Sequence, residues 1–128
     1  MRFYVDSRFV IAAFAITLWS CDSNERLQAC TLIGCESSLR VVLTAPPPSP
    51  YRVEAYLPGS AARQVRQCST GGTCDITFVG FTPAQATIEI ITTADTVRRD
   101  VAPSYQVSRP NGPMCDPECR TATVTLSP

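Results

Sequence analysis

From residue 30 onward, apolar and polar residues alternate with a period of two along most of the chain. That is the repeat of β-strands that bury one face. The runs that carry it are 39–44, 51–57, 63–68, 75–79, 86–92, 97–101, a weaker one over 105–107, and 121–126. In 51–57 the odd positions are apolar while Arg52 and Glu54 face the other way, and Thr121, Thr123 and Thr125 alternate with Ala122, Val124 and Leu126. Each such strand is expected to present one buried and one wet face. Breaks between runs are rich in Pro and Gly: 45–50, 57–59, 81–83 and 109–113, with Ala94-Asp95 marking another. The only competing helical period lies over 61–67, where a strand fits as well. The pattern predicts an all-β protein, an antiparallel β-sandwich of seven to eight short strands.

The first twenty residues follow a different rule. Arg2 and Arg8 against Asp6 give a weakly positive start, and residues 9–19 then run apolar through Val10, Ile11, Phe14, Ile16 and Leu18. This is a signal-peptide pattern, too short for a permanent span, which needs about twenty apolar residues. Next comes Leu18-Trp19-Ser20-Cys21. The four residues resemble the lipobox of bacterial lipoprotein precursors, with Leu18, Ser20 and Cys21 matching and Trp19 bulkier than is common. The resemblance implies cleavage before Cys21, a diacylglyceryl group on its sulfur and often a fatty acyl chain such as palmitate on its amine. Lipidation is therefore expected at Cys21. The chain then divides into a signal peptide over 1–20, a polar tether over 21–29, and one domain over 30–128.

Seven cysteines stand at 21, 30, 35, 68, 74, 115 and 119. Setting Cys21 aside for lipid leaves an even six in a chain that reads as exported, which implies a disulfide framework. Cys68 and Cys74 flank a Gly-Gly turn and are expected to pair across a hairpin. Cys30 and Cys35 precede one strand, and Cys115 and Cys119 precede the last. If the first and last strands lie side by side and parallel, as in many Greek-key sandwiches, Cys35 meets Cys119 and Cys30 meets Cys115. Loop-closure entropy favours those long links. Local pairs, Cys30 with Cys35 and Cys115 with Cys119, remain open as the alternative. Neither spacing is the C-x-x-C of redox sites, so the cysteines are read as structural.

Composition narrows the chemistry. Past the leader nine Arg face ten acids, so nothing in the charge suggests a nucleic-acid partner. There is no His and no Lys in the chain, which removes the Ser-His-Asp and Ser-Lys arrangements and the commonest metal ligand. Asp95, Asp100, Asp116 and Glu118 are oxygen donors suited to calcium, but their spacing fits no calcium loop, and solvated turn acids explain them better. No cofactor or metal site is expected. Arg98-Arg99-Asp100 reads as an edge strand guarded by charge. Tyr51, Tyr105, Phe78 and Phe81 suit core or corner positions, whereas Tyr56, in phase with Arg52 and Glu54, is the one candidate for a surface that stacks on sugar.

The domain only loosely resembles immunoglobulin-like and transthyretin-like sandwiches, and the single Trp lies in the leader, so the buried Trp of antibody domains is missing. The function expected is that of a non-enzymatic structural or binding module, lipid-anchored in the cell envelope on the periplasmic or cell-surface side, with an envelope protein or glycan as partner. The alternative is a secreted inhibitor or ligand-binding domain using the loop 109–119, which Pro110, Pro113 and Pro117 pre-order.

Overall fold

A computed structural model describes residues 29–128. Residues 1–28, with the expected signal peptide and Cys21, lie outside them. Eight strands follow in order: β1 Ser38–Leu43, β2 Tyr51–Tyr56, β3 Gln64–Cys68, β4 Ile76–Val79, β5 Ala86–Ile91, β6 Thr96–Val101, β7 Gln106–Ser108 and β8 Cys119–Leu126. They form two four-stranded sheets, β4-β1-β8-β7 and β3-β2-β5-β6. The chain crosses between the sheets four times, after β1, β3, β4 and β6. Over 61–67 the strand prevails where a helix had competed, because β3 pairs along its length with β2, from Tyr51↔Cys68 to Ala55↔Gln64.

The core is built as the alternation requires. Leu39, Val41, Ile76, Phe78, Ala122 and Leu126 point inward from the first sheet. Tyr51, Val53, Ala55, Ala86, Ile88 and Ile90 meet them from the second. The first and last strands are parallel neighbours, in register from Ser38↔Thr121 to Leu43↔Leu126. Both therefore start at one pole of the sandwich and run away from it.

β6 is an open edge of the second sheet, and its charges are placed accordingly. Arg98 pairs with Glu89 in register, and Arg99 with Ile88, so Arg99 has the inward phase. It escapes burial because the strand is an edge: its guanidinium donates to the carbonyls of Arg98 (3.0 Å) and Ser127 (3.4 Å).

Two expectations are corrected by the tertiary arrangement. The turn between Cys68 and Cys74 does not join a hairpin, because β3 belongs to one sheet and β4 to the other. Cys68–Cys74 spans this crossing, and its glycines pack on the proline-rich crossing after β1. Gly72 N–H donates to the carbonyl of Pro47 (2.7 Å). Gly71 has φ +69°, and a Cβ there would collide with the Pro48 carbonyl, so both turn geometry and close approach demand glycine.

The second correction concerns β2, whose outward face is wet only at Arg52. Glu54 and Tyr56 are buried, Tyr56 at 4 % exposure. Arg63 lies over them, its guanidinium carbon 3.9 Å from the centre of the Tyr56 ring. Arg98 stands 5.9 Å from the same ring, and the Tyr56 hydroxyl donates to Glu89 (2.6 Å). Tyr56 thus offers no face for stacking on sugar. The reason is that long Arg side chains cover apolar and aromatic surface while their charged heads stay near water.

Candidate functional site

The pole where β1 and β8 start is the most heavily braced part of the molecule. Cys30–Cys115 and Cys35–Cys119 are both disulfide-bonded, with Cα separations of 5.7 and 6.0 Å. They join the segment that enters the domain to the loop that precedes the last strand. The parallel register explains why these partners meet: Ser38 lies opposite Thr121, so Cys35 and Cys119 fall at similar distances ahead of the same ladder.

Between the two bridges sits Asn111, only 7 % exposed. Its Oδ1 accepts from the Thr31 hydroxyl (2.6 Å) and the Ile33 N–H (3.0 Å). Its Nδ2 donates to the carbonyls of Ile33 (3.0 Å) and Asp116 (2.6 Å). One amide side chain therefore satisfies both backbone groups of Ile33 and ties them to the loop, which is how a buried polar group avoids a desolvation penalty. Ser37 adds a further link, its hydroxyl accepting from the Arg120 N–H at 3.0 Å.

The base of the loop is held by charge. Glu118 accepts from Arg109 and, at 3.1 Å, from Arg120, while Arg109 also donates to the Pro113 carbonyl at 3.0 Å. The Glu118 carboxyl is held below its ordinary range, first by the Arg120 hydrogen bond and then by the Arg109 charge. Loop 109–119 and segment 30–35 consequently form one clasp of two strands of chain.

Three large apolar side chains of the clasp are exposed. Leu32 is 100 % exposed, Ile33 55 % and Met114 83 %. Leu32 lies between the two Asn111-bound residues Thr31 and Ile33, and Met114 is adjacent to the bridged Cys115, so all three stand within three residues of the Cys30–Cys115 bridge.

The other residues singled out from the sequence are dispersed. Among the described residues no group of three or more His, Cys, Asp or Glu is placed to hold a metal ion. Asp95 closes its own turn, accepting from Thr96 N–H at 2.7 Å. Asp100 accepts the hydroxyl of buried Thr87 at 2.6 Å. Tyr51 and Tyr105 pack on the core with Phe78 and Phe81, and Phe78 and Phe81 meet edge to face at 6.2 Å. Cys21, the expected lipidation site, lies outside the described residues. No known protein family, curated protein or solved structure matches the chain.

Sequence reasoning reached the loop and its bridges but missed Asn111, Leu32, Ile33 and the Arg63 cover. The only advance signal for Leu32 and Ile33 was that they form an apolar pair between Cys30 and Cys35 that belongs to no strand.

Proposed function

We propose that the chain is the precursor of a bacterial envelope lipoprotein, held to a membrane by lipid on Cys21, whose sandwich serves as a non-enzymatic structural or binding module. The observation that carries this reading is the partition of the cysteines. Six are used by three bridges, and the seventh is Cys21, which occupies the acylated position of the lipobox-like tetrapeptide. Three disulfides suit an oxidising compartment outside the cytoplasm. The absence of His and Lys from the whole sequence supports a role without acid–base or nucleophilic catalysis. A covalent anchor of two or three acyl chains is also adequate for lasting attachment, at about 0.8 kcal/mol per buried methylene.

Intact mass of the full protein extracted from membranes tests the reading. The expected species begins at Cys21, carries acyl chains, and gains six hydrogens on reduction of its three bridges. An unmodified Cys21 in a soluble, leader-cleaved protein overturns it. That result favours a secreted inhibitor or ligand-binding domain presenting 109–119, for which the bracing of this loop by Asn111 and the bridges is the supporting observation.

A further inference from the structure

The exposed apolar residues of the clasp stand where the tether enters the domain. Segment 30–35 leads into β1, and both parallel strands start at this pole and run away from it. Nine residue steps separate Cys21 from Cys30, a reach of at most about 30 Å even when fully extended. A lipid on Cys21 therefore attaches the domain to the membrane through this pole, within about 30 Å of the headgroups.

The clasp is also built for docking without reorganisation. Cys30–Cys115 and Cys35–Cys119 fix its two segments covalently, and Asn111 fixes the backbone of Ile33 between them. Leu32, Ile33 and Met114 are thus held outward on rigid backbone, so little chain entropy is lost when they are covered. Exposed apolar side chains on either side of one bridge are suited to a shared contact surface. Charge selects the partner further. Arg109 and Arg120 are both engaged by Glu118, and the remaining charges of the clasp are Glu36 and Asp116. No basic cluster calls for an anionic surface, which leaves apolar contact with the interfacial layer as the attraction.

We propose that the clasp seats Leu32, Ile33 and Met114 in the interfacial layer of the lipid surface that holds Cys21, and so fixes how the sandwich stands on the membrane. This rests on the lipid anchor proposed above.

Tryptophan scanning of the full chain tests it. Cleavage before Cys21 removes Trp19, the single native Trp, so with the lipobox-like tetrapeptide unchanged Leu32→Trp and Met114→Trp report from the clasp, and Val42→Trp reports from an exposed position on β1 toward the other pole. Each protein is purified from membranes and its mass checked for acyl chains and three bridges. It is then reconstituted into phosphatidylcholine vesicles with or without bromine on the acyl chains near the headgroups. The expected result is blue-shifted emission at 32 and 114 that bromolipid quenches, with water-like, unquenched emission at 42. Acylated protein in which 32 and 114 behave like 42 overturns the clasp proposal and leaves the anchor standing. Blue shift without bromine quenching means that protein covers the clasp, and overturns it too. A mass without acyl chains overturns the anchor and the clasp together.

Discussion

Glu54 and Glu89 stand directly opposite each other on neighbouring strands, and both accept from Nη1 of a single Arg63, at 3.2 Å each. Like charges facing across a sheet destabilise it unless a cation lies between them. Arg63 supplies that cation, and Arg52 reinforces it at 3.0 Å from Glu54. Replacing Arg63 by Ala should leave two nearly buried carboxylates opposed and uncover the Tyr56 ring. The expected outcome is a lower midpoint in chemical denaturation, with the ionic part of the loss moderated by solvent screening because Arg63 is itself exposed. A second substitution, Glu89→Gln, should recover part of the loss. An Arg63→Ala protein as stable as the parent would show that the cluster is ornamental.

Removing both long bridges should cost about 1–2 kcal/mol more than the sum of the single removals. Each closes a loop of 84 or 85 residues, which alone is worth about 4.5 kcal/mol of unfolded-chain entropy. Once one is formed, the other closes only the short ring 30–35 and 115–119, worth about 2.8 kcal/mol by the same relation. Replacing either pair by Ser should therefore cost about 3 kcal/mol, and replacing both about 7 kcal/mol. Denaturation midpoints of the three variants, measured under oxidising conditions, check the arithmetic. A double loss no larger than the sum of the two single losses would contradict it.

Asn111→Ala should loosen the clasp without opening its bridges. Four hydrogen bonds end on this one side chain, and their loss should cost about 1–3 kcal/mol. Hydrogen exchange at the Ile33 amide should speed up while the amides of β1 and β8 keep their protection. Asn111→Asp should rescue little, because a carboxylate would face the carbonyls of Ile33 and Asp116.

Tyr51 and Tyr105 should separate in mutation and agree in pH response. The Tyr51 hydroxyl donates to the Gly72 carbonyl at 2.8 Å, so Tyr51→Phe should cost about 1 kcal/mol. The buried Tyr105 hydroxyl has no hydrogen-bond partner among the described residues, so Tyr105→Phe should be neutral or stabilising. Burial raises both phenols above their ordinary value of 10.0. The unfolded chain then loses these protons first, and stability should be full below pH 10 and fall as pH rises through the higher folded values. Thermal melts between pH 8 and 11 on the parent and the double Phe variant test this: the parent should lose more.

The strands, and the inward residues on them, follow from the sequence alone, because a period of two with Pro and Gly at the breaks is a local property of the chain. All eight predicted runs overlap observed strands, and from the apolar phases read in 51–57 and 121–126, Tyr51, Val53, Ala55, Ala122 and Leu126 lie in the core. The cysteine parity was legible as well, since counting requires no geometry. What the sequence left open was everything that depends on which strands become neighbours.

The choice between long and local bridges was decided by the parallel pairing of β1 with β8, a contact between chain segments some eighty residues apart. The crossing at Cys68–Cys74 was misread as a hairpin for the same reason: a Gly-Gly turn is compatible with either, and sheet membership is settled by packing. Tyr56 looked exposed because strand phase cannot foresee a cover laid over it from the loop before β3. Asn111, read locally, was a turn residue; only the fold brings Thr31 and Ile33 within reach of its amide and leaves Leu32 and Met114 outside. Period and parity are written along the chain, whereas neighbours across sheets are set by how the two sheets close on one core.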